Sequence, residues 1–240
     1  MTCQHTLFEE SPPVARPRVL PQQAWSEQTW FQPVVDTFDH RVAAHQCLLR
    51  YEGHEGGDYD VVEAARIRLL SIEAAARHPW QGLYFFQLAP ASLGDPERDM
   101  HSTVEAIFDF GLKPGDIAFE ITEADLLRDP AHAHAIRNYL RSNGFGFALT
   151  HVGASTGAQS FQALADFKPD YINLDRRLIR NFDKPVCAPT IGKLMRMAEK
   201  SGARVIADGV DRARTVENLW LLGVQFMQGN LFGESSFRAA

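Results

Sequence analysis

Residues 144–155, with the sequence GFGFALTHVGAS, predict a buried strand that ends in polar side chains. An apolar run from Phe145 to Leu149 is followed by Thr150 and His151, and then by a loop of small residues. Short continuous apolar runs are typical of strands that are buried on both faces, as in parallel sheets. The stretch therefore predicts one strand of an α/β fold, with a hydroxyl and an imidazole where the strand ends.

The same arrangement recurs on both sides of this stretch. Runs of β-branched and aromatic residues predict eight strands, at residues 31–35, 47–52, 83–89, 117–122, 145–150, 171–175, 204–208 and 225–230. Helical periodicity predicts six helices between most of them, at residues 58–77, 98–110, 131–143, 157–167, 188–202 and 212–223. This alternation predicts an α/β fold of the closed (β/α)8-like TIM barrel type. The first two strands are too close in sequence for a helical crossover, so we expect an antiparallel hairpin there.

Length and composition favour a single domain. A chain of 240 residues suits one large α/β domain, which we expect over residues 28–240, after an irregular, proline-rich extension over residues 1–27. The net charge of -6 provides no basic surface for a nucleic acid. Cys3, Cys47 and Cys187 are odd in number and far apart, which fits neither a disulfide framework nor a zinc site. We find no apolar stretch long enough to cross a bilayer and expect a cytoplasmic protein without membrane attachment.

Polar side chains stand at the end of nearly every predicted strand. They are Gln46 and Arg50, Gln87, Glu120 and Glu123, Thr150 and His151, Asn173 and Asp175, Asp208 and Asp211, and Gln228. Because the strand ends of such a barrel meet at one rim, we expect a shared pocket there. Glu120 ends an apolar strand and needs a metal, a cation or several hydrogen bonds. An ordinary buried ion pair would satisfy it, and so would convergence with Asp208 and Asp211 on a divalent cation.

The rim residues belong to short motifs that resemble a known family. From Phe31 to Gly233 the chain contains FQPVVD, HQCLLR, FFQLAP, FEITE, FALTHVG, PDYINLD, VIADGVD and QGNLFG. In this order they resemble the markers of EAL-domain phosphodiesterases, which hydrolyse the bacterial second messenger cyclic di-GMP. The resemblance implies a (β/α)8-like barrel with one antiparallel strand. In active members it also implies two Mg²⁺ or Mn²⁺ ions that activate water.

The chain departs from this family at the positions that carry the chemistry. Gln46 stands where active members have the glutamate of E-A-L, and Gln87 stands where they have a metal-binding asparagine. The family's Asp-Asp pair is Thr150 and His151, its catalytic lysine is Asn173, and the glutamate of A-E-G-V-E is shortened to Asp208. Glu120 is the one metal ligand that survives unchanged. Because carboxylate charge is the main attraction for Mg²⁺, we expect no catalysis and no metal cofactor, with Mg²⁺ or Mn²⁺ relevant only to residual activity.

Positions implied in nucleotide binding are better retained. Gln32, Leu48, Arg50, Asp175, Asp211 and Gln228 match positions that, in the family, border or contact the dinucleotide. Arg50 supplies a guanidinium that suits phosphate oxygens. Glu123 is retained where the family uses a glutamate to steady the loop after the Asp-Asp strand, whereas Ser235 replaces a usual proline beside the second guanine.

The resemblance and the departures together predict a degenerate EAL domain. We expect a receptor for cyclic di-GMP, or a signalling adaptor, that regulates a protein partner, with homodimerisation as one form of association. One alternative is a protein-interaction regulator that acts without nucleotide. A second alternative is a weak cyclic di-GMP phosphodiesterase.

Overall fold

The computed structural model describes residues 28–50, 61–80, 82–153 and 158–233. The predicted extension over residues 1–27 lies outside these ranges. Within them the chain forms one closed barrel in which each strand pairs with its neighbour in sequence. The predicted (β/α)8-like barrel is therefore confirmed.

Eight strands build the barrel in the described part of the chain. They are β1 (Gln28–Asp36), β2 (Arg41–Arg50), β3 (Leu83–Gln87), β4 (Ile117–Thr122), β5 (Gly146–Val152), β6 (Tyr171–Leu174), β7 (Arg204–Ala207) and β8 (Phe226–Met227). β1 pairs antiparallel with both β2 and β8, and the other neighbours pair parallel. The predicted hairpin is confirmed, although β2 begins at Arg41 rather than near residue 47, because it pairs with β1 along nearly its whole length.

Eight α-helices are described outside the barrel. They are α1 (Val61–Arg77), α2 (Pro96–Asp109), α3 (Glu123–Arg128), α4 (Pro130–Ser142), α5 (Ala158–Phe167), α6 (Arg176–Arg180), α7 (Cys187–Ser201) and α8 (Ala213–Leu221). Six of them match the predicted helices. The short helices α3 and α6 were not predicted, and each follows directly from a strand end.

Capping side chains fix where these short helices begin. The Thr122 hydroxyl accepts a hydrogen bond from the backbone N–H of Asp125, and the Asp125 carboxylate accepts one from the backbone N–H of Thr122. Asp175 accepts from the backbone N–H of Arg177 and starts α6 in the same way. A polar residue at the end of β4 or β6 thus turns the chain into a helix at the barrel rim.

The core has two layers. Large apolar side chains, such as Phe86, Phe119 and Phe147, pack between the strands and the surrounding helices. A smaller cluster fills the barrel interior, namely Val34, Ala44, Phe85, Ala118, Ala148 and Ile206. This interior layer closes the barrel below the rim, so a ligand can enter only from the end where the parallel strands finish.

The barrel closes through a short contact between β1 and β8. Only Val35 with Met227 and Asp36 with Phe226 are paired there. Side chains extend the contact, because Gln225 Nε2 donates to both carboxylate oxygens of Asp36 at 2.9 and 3.0 Å.

Candidate functional site

The rim end of the barrel interior carries a ring of mostly polar side chains. Side chains alternate along a strand, so the residues two positions beyond the interior apolar cluster face the same way. We call this set the mouth layer, and it consists of Gln32, Gln46, Gln87, Glu120, Thr150, Asn173, Asp208 and Gln228. The layer contains most of the positions that the sequence predicts for the site.

Four members of the mouth layer are joined by hydrogen bonds, and an ion pair links the last of them to an arginine. Gln46 Nε2 donates to Glu120 Oε2 at 2.9 Å, and Gln228 Nε2 donates to Gln46 Oε1 at 2.8 Å. Gln228 Nε2 also donates to Asp208 Oδ1 at 3.0 Å. Asp208 Oδ2 lies 3.4 Å from Nε of Arg176, the first residue of α6. We call Glu120, Gln46, Gln228, Asp208 and Arg176, joined in this way, the mouth network.

The mouth network explains how two carboxylates are tolerated at a buried position. Glu120 and Asp208 are 2% and 7% exposed, and each has one carboxylate oxygen in the network bonded to an amide. Burial raises the pKa of Glu120 to about 7, the hydrogen bond from Gln46 opposes this rise, and the charge of Asp208 adds to it. Glu120 is therefore held by an amide hydrogen bond and by a pKa raised toward neutrality, which favours its uncharged form.

Two buried acceptors of the mouth layer have no hydrogen-bond partner among the described residues. They are Oδ1 of Asn173, at the position of the family's lysine, and Oε1 of Gln228. Buried polar atoms are nearly always hydrogen-bonded in folded proteins, so each of these atoms can accept a bond from a ligand or water. At Asn173 the mouth thus offers a neutral acceptor where the family has a lysine.

The predicted Thr150 and His151 pair lies at an irregularity in β5. The pairing with β6 shifts register between Leu149 and Val152, and His151 has a positive φ of 56°. Thr150 is buried and donates to the backbone carbonyl of Ile121 at 3.4 Å, whereas His151 is exposed. The bulge thus separates the two side chains into different environments.

Asp175 and Asp211 are held at the rim by arginines of α6. Arg177 Nε and Nη2 contact the two carboxylate oxygens of Asp175 at 2.9 and 3.0 Å. Burial by itself would raise the pKa of Asp175, but the hydrogen bonds and charge of Arg177 outweigh it and hold the pKa below its usual value. Asp211 pairs with Arg180 at 3.1 Å and accepts from the backbone N–H of Asn230.

The structure does not assemble the three-carboxylate cation site considered from sequence. No group of three metal-ligating side chains is found within the described ranges, and Asp211 is engaged by Arg180 rather than directed to Glu120. Asp208 is likewise paired with Arg176. The oxygen donors that remain are two carboxylates, which are already bonded to amides or to Arg176, and the neutral oxygens of Asn173 and Gln228. They do not supply the charge, or the about six oxygen ligands each, that a pair of hard divalent cations requires.

Glu123 occupies the position predicted to steady the loop after β5. Its carboxylate accepts from the backbone N–H of Gly153 at 3.2 Å and from the hydroxyl of Ser160 in α5. It is 2% exposed. These contacts hold both ends of the segment between β5 and α5, of which residues 154–157 lie outside the described part.

The remaining predicted binding residues are placed by the β1–β2 hairpin and by β3. Gln32 lies opposite Gln46, and Leu48 lies opposite Trp30. Arg50 pairs with Gln28 at the rim end of the hairpin, and its side chain lies outside the described part of the structure, as does Ser235. Gln87 ends β3 and is exposed, and it takes no part in the mouth network.

Sequence reasoning missed two features of the site. It did not find Arg176 as the partner of Asp208, nor the direct contact between Gln46 and Gln228. The available signal for the first was an arginine directly after the capping Asp175, at a strand end. The second joins residues 182 positions apart, and only the barrel closure brings them together.

Comparison with known proteins agrees with this geometry. The sequence profile described as the EAL domain matches residues 23–235. The chain belongs to the EAL domain family. No helix in the described ranges is long and apolar enough to cross a membrane.

Curated EAL relatives match part of their length. The cyclic di-GMP phosphodiesterase RocR of Pseudomonas aeruginosa is 30% identical over 149 residues, which are 61% of this chain and 37% of RocR. The cyclic di-GMP phosphodiesterase PdeL of Escherichia coli is 26% identical over 118 residues, 48% of this chain and 32% of PdeL. The matched region thus spans about a third of the length of these relatives.

Solved EAL structures share the fold over most of the chain. A standalone EAL protein from Vibrio cholerae, in its c-di-GMP bound form, aligns with a TM-score of 0.80 at 24% identity and covers 90% of this chain and 94% of that one. The FimX EAL domain of Xanthomonas citri, in complex with c-di-GMP, aligns with a TM-score of 0.74 at 18% identity and covers 88% of both chains. The EAL barrel, including its antiparallel strand, is the fold of this protein.

Proposed function

We propose that this EAL domain acts in the cytoplasm as a receptor that binds cyclic di-GMP without hydrolysing it and regulates a protein partner. The observation that carries the proposal is the mouth network. It joins Glu120 and Asp208, the two mouth-layer carboxylates, to neutral amides and to Arg176.

Loss of catalysis follows from what the mouth can hold. Two activating cations need negative ligands close together, and here Gln46, Thr150 and Asn173 are neutral. Arg176 brings a positive charge to Asp208, which a divalent cation would have to displace. No metal cofactor is part of the proposed function.

Ligand binding requires groups different from those for cleavage. A dianionic nucleotide needs donors for its phosphates and polar groups for its bases. Arg50 is at the rim end of β2, and the mouth layer supplies amides from Gln32 and Gln228. A mouth with few carboxylates also repels the phosphates less when no metal is present. Several relatives and structural neighbours are named for cyclic di-GMP, which supports this choice of ligand.

Hydrolysis is tested by incubating cyclic di-GMP with micromolar protein and Mg²⁺ or Mn²⁺, and by separating linear products chromatographically. We expect no product above the blank. Turnover that scales with protein and disappears in Glu120→Gln would instead establish the weak phosphodiesterase.

Binding is tested by calorimetric titration in EDTA with wild type, Arg50→Ala and the control Arg196→Ala, in which an exposed arginine of α7 is replaced. Charge-assisted hydrogen bonds are worth about 1.5 to 3 kcal/mol each, so Arg50→Ala should weaken binding at least tenfold, about 1.4 kcal/mol. The control should bind as wild type. If wild type shows no binding in EDTA or in Mg²⁺, the protein is an interaction regulator that acts without nucleotide.

The proposed output is contact with another protein, either a different chain or a second copy of this one. Sizing and pull-down with and without cyclic di-GMP should show an association that the nucleotide changes. An association that is specific but indifferent to nucleotide would contradict the receptor role.

A further inference from the structure

A buried arginine outside the barrel mouth forms no ion pair with an acidic residue in the described part of the chain. Arg68 of α1 is only 3% exposed. Its Nε donates to Oγ1 of Thr103 at 3.3 Å and its Nη2 donates to the backbone carbonyl of Asp99 at 3.4 Å. Its Nη1 has no hydrogen-bond partner in the described structure. The Nη1 donor of this buried cation therefore has no acceptor in the described structure.

The nearby carboxylate does not compensate this charge by direct pairing. Asp99 acts on Arg68 through its charge, but Asp99 Oδ1 accepts from Nε of Arg98 at 2.9 Å. Asp99 Oδ2 accepts from the backbone N–H groups of Gly94 and Asp95 at 2.8 and 3.0 Å. Burial lowers the pKa of Arg68, yet a guanidinium stays protonated in proteins. An unpaired buried charge is costly, so the site favours a counter-ion.

Arg68 lines a cavity between α1 and the ends of β2 and β3. The cavity measures about 90 Å³, and its polar wall is formed by Arg68, Ser71 and Gln87. Ile67, Phe86 and Leu88 contribute an apolar wall. An apolar cavity of about 150 Å³ holds benzene with its six carbon atoms, so this one has room for about four non-hydrogen atoms.

We propose that this cavity binds a small monocarboxylate, with its carboxylate on Nη1 of Arg68 and its short apolar part against the apolar wall. A single negative charge balances the single buried cation, and the hydroxyl of Ser71, which lines the same cavity, supplies a further donor. Phosphate fits less well, because it has five non-hydrogen atoms, more than the cavity has room for, and no apolar part. The site lies on the α1 side of β2 and β3, and it does not depend on nucleotide binding at the mouth.

The probes are acetate, formate and inorganic phosphate, titrated against chloride at constant ionic strength and pH. Heat of binding and the rise in unfolding temperature are measured for wild type, Arg68→Met and the control Arg196→Met. We expect a saturable response to acetate and formate in wild type and in the control, and affinity at least tenfold weaker in Arg68→Met.

A second variant guards against loss of folding in Arg68→Met. Ala64→Leu adds volume to the cavity wall while Arg68 is kept, and it should also lose the response to acetate. The proposal is overturned if wild type shows no saturable response, if only phosphate binds, or if acetate binds Arg68→Met and Ala64→Leu as it binds wild type.

Discussion

Among single side chains, Glu120 couples the mouth network to pH. Its pKa is about 7 in the folded protein, chiefly because it is buried, against an ordinary value of 4.5. Between these values the folded protein holds a proton that the unfolded chain has lost. Protonation of Glu120 therefore contributes to the free energy of unfolding. This contribution is complete below pH 4.5 and is lost as the pH rises through 7. The difference between the two pKa values corresponds to about 3 kcal/mol.

We expect Glu120→Gln to remove this pH dependence. A glutamine at this position accepts the bond from Gln46 without carrying a charge, so the variant should match wild type near pH 4 and exceed its unfolding free energy at pH 8 by up to about 3 kcal/mol. Urea denaturation at a series of pH values measures this. Glu217→Gln, which replaces an exposed residue of α8, is the control and should follow wild type. Parallel curves for Glu120→Gln and wild type would contradict the shifted pKa.

Among the elements, the join between β5 and α5 depends on a side chain from α3. Glu123 bonds the backbone N–H of Gly153 after β5 and the hydroxyl of Ser160 in α5. Gly153 has a φ of 88°, and a Cβ there would lie 2.3 Å from the side chain of Leu178. The backbone at this point is therefore closely confined, and Glu123 satisfies its buried N–H.

Replacing Glu123 with alanine should loosen the connection between β5 and α5, because both hydrogen bonds to its carboxylate are lost. A buried N–H without a partner costs about 1 to 3 kcal/mol. We expect faster amide hydrogen exchange in α5 of Glu123→Ala, with exchange in α8 changed much less. Glu97→Ala, at an exposed position in the first turn of α2, is the matched control. Exchange that is equally fast in α5 and α8 would show a global rather than a local effect.

How far the sequence predicts these elements depends on their length. Helices such as α4 and α7 span several turns, so their periodicity is visible, and Gly202 ends α7 with a φ of 75° at the predicted stop. Helices α3 and α6 have 6 and 5 residues, too few to show a period, and they exist because Thr122 and Asp175 cap them. The ring of rim residues follows from strand alternation. The contacts of each rim side chain cannot be predicted from strand alternation. Barrel closure and side-chain rotamers decide whether Asp208 contacts Arg176 or a cation.

For the whole molecule, closure of the barrel rests on few groups. Asp36 is 2% exposed and accepts from Gln225 Nε2 and from the backbone N–H groups of Phe38 and Asp39. Trp220 Nε1 donates to Oγ1 of Thr37 at 2.8 Å. This hydrogen bond is a further side-chain link across the seam, by which we mean the contact between β1 and β8 and the residues beside it. These contacts supplement the two paired positions of β1 and β8.

We expect Asp36→Ala to destabilise the protein by about 3 kcal/mol, because it leaves several donors of the seam without an acceptor. Asp39→Ala removes a neighbouring carboxylate that is 59% exposed and pairs only with Arg41 among the described ion pairs. It should change the unfolding free energy by less than about 1 kcal/mol. Equilibrium denaturation of both variants measures the difference. Equal effects would mean that the seam does not depend on the buried carboxylate.

The reversed direction of β1 decides where the preceding chain enters the barrel. Gln28, the first residue of β1, lies opposite Arg50 at the rim, whereas a parallel first strand would start at the opposite end. Any polypeptide attached before Gln28 is therefore tethered beside the opening through which a ligand arrives. A tether raises the local concentration of the attached segment at the opening to about the millimolar range. The inverted strand thus places the point where the chain enters the barrel at the same rim as the loops that follow the parallel strands.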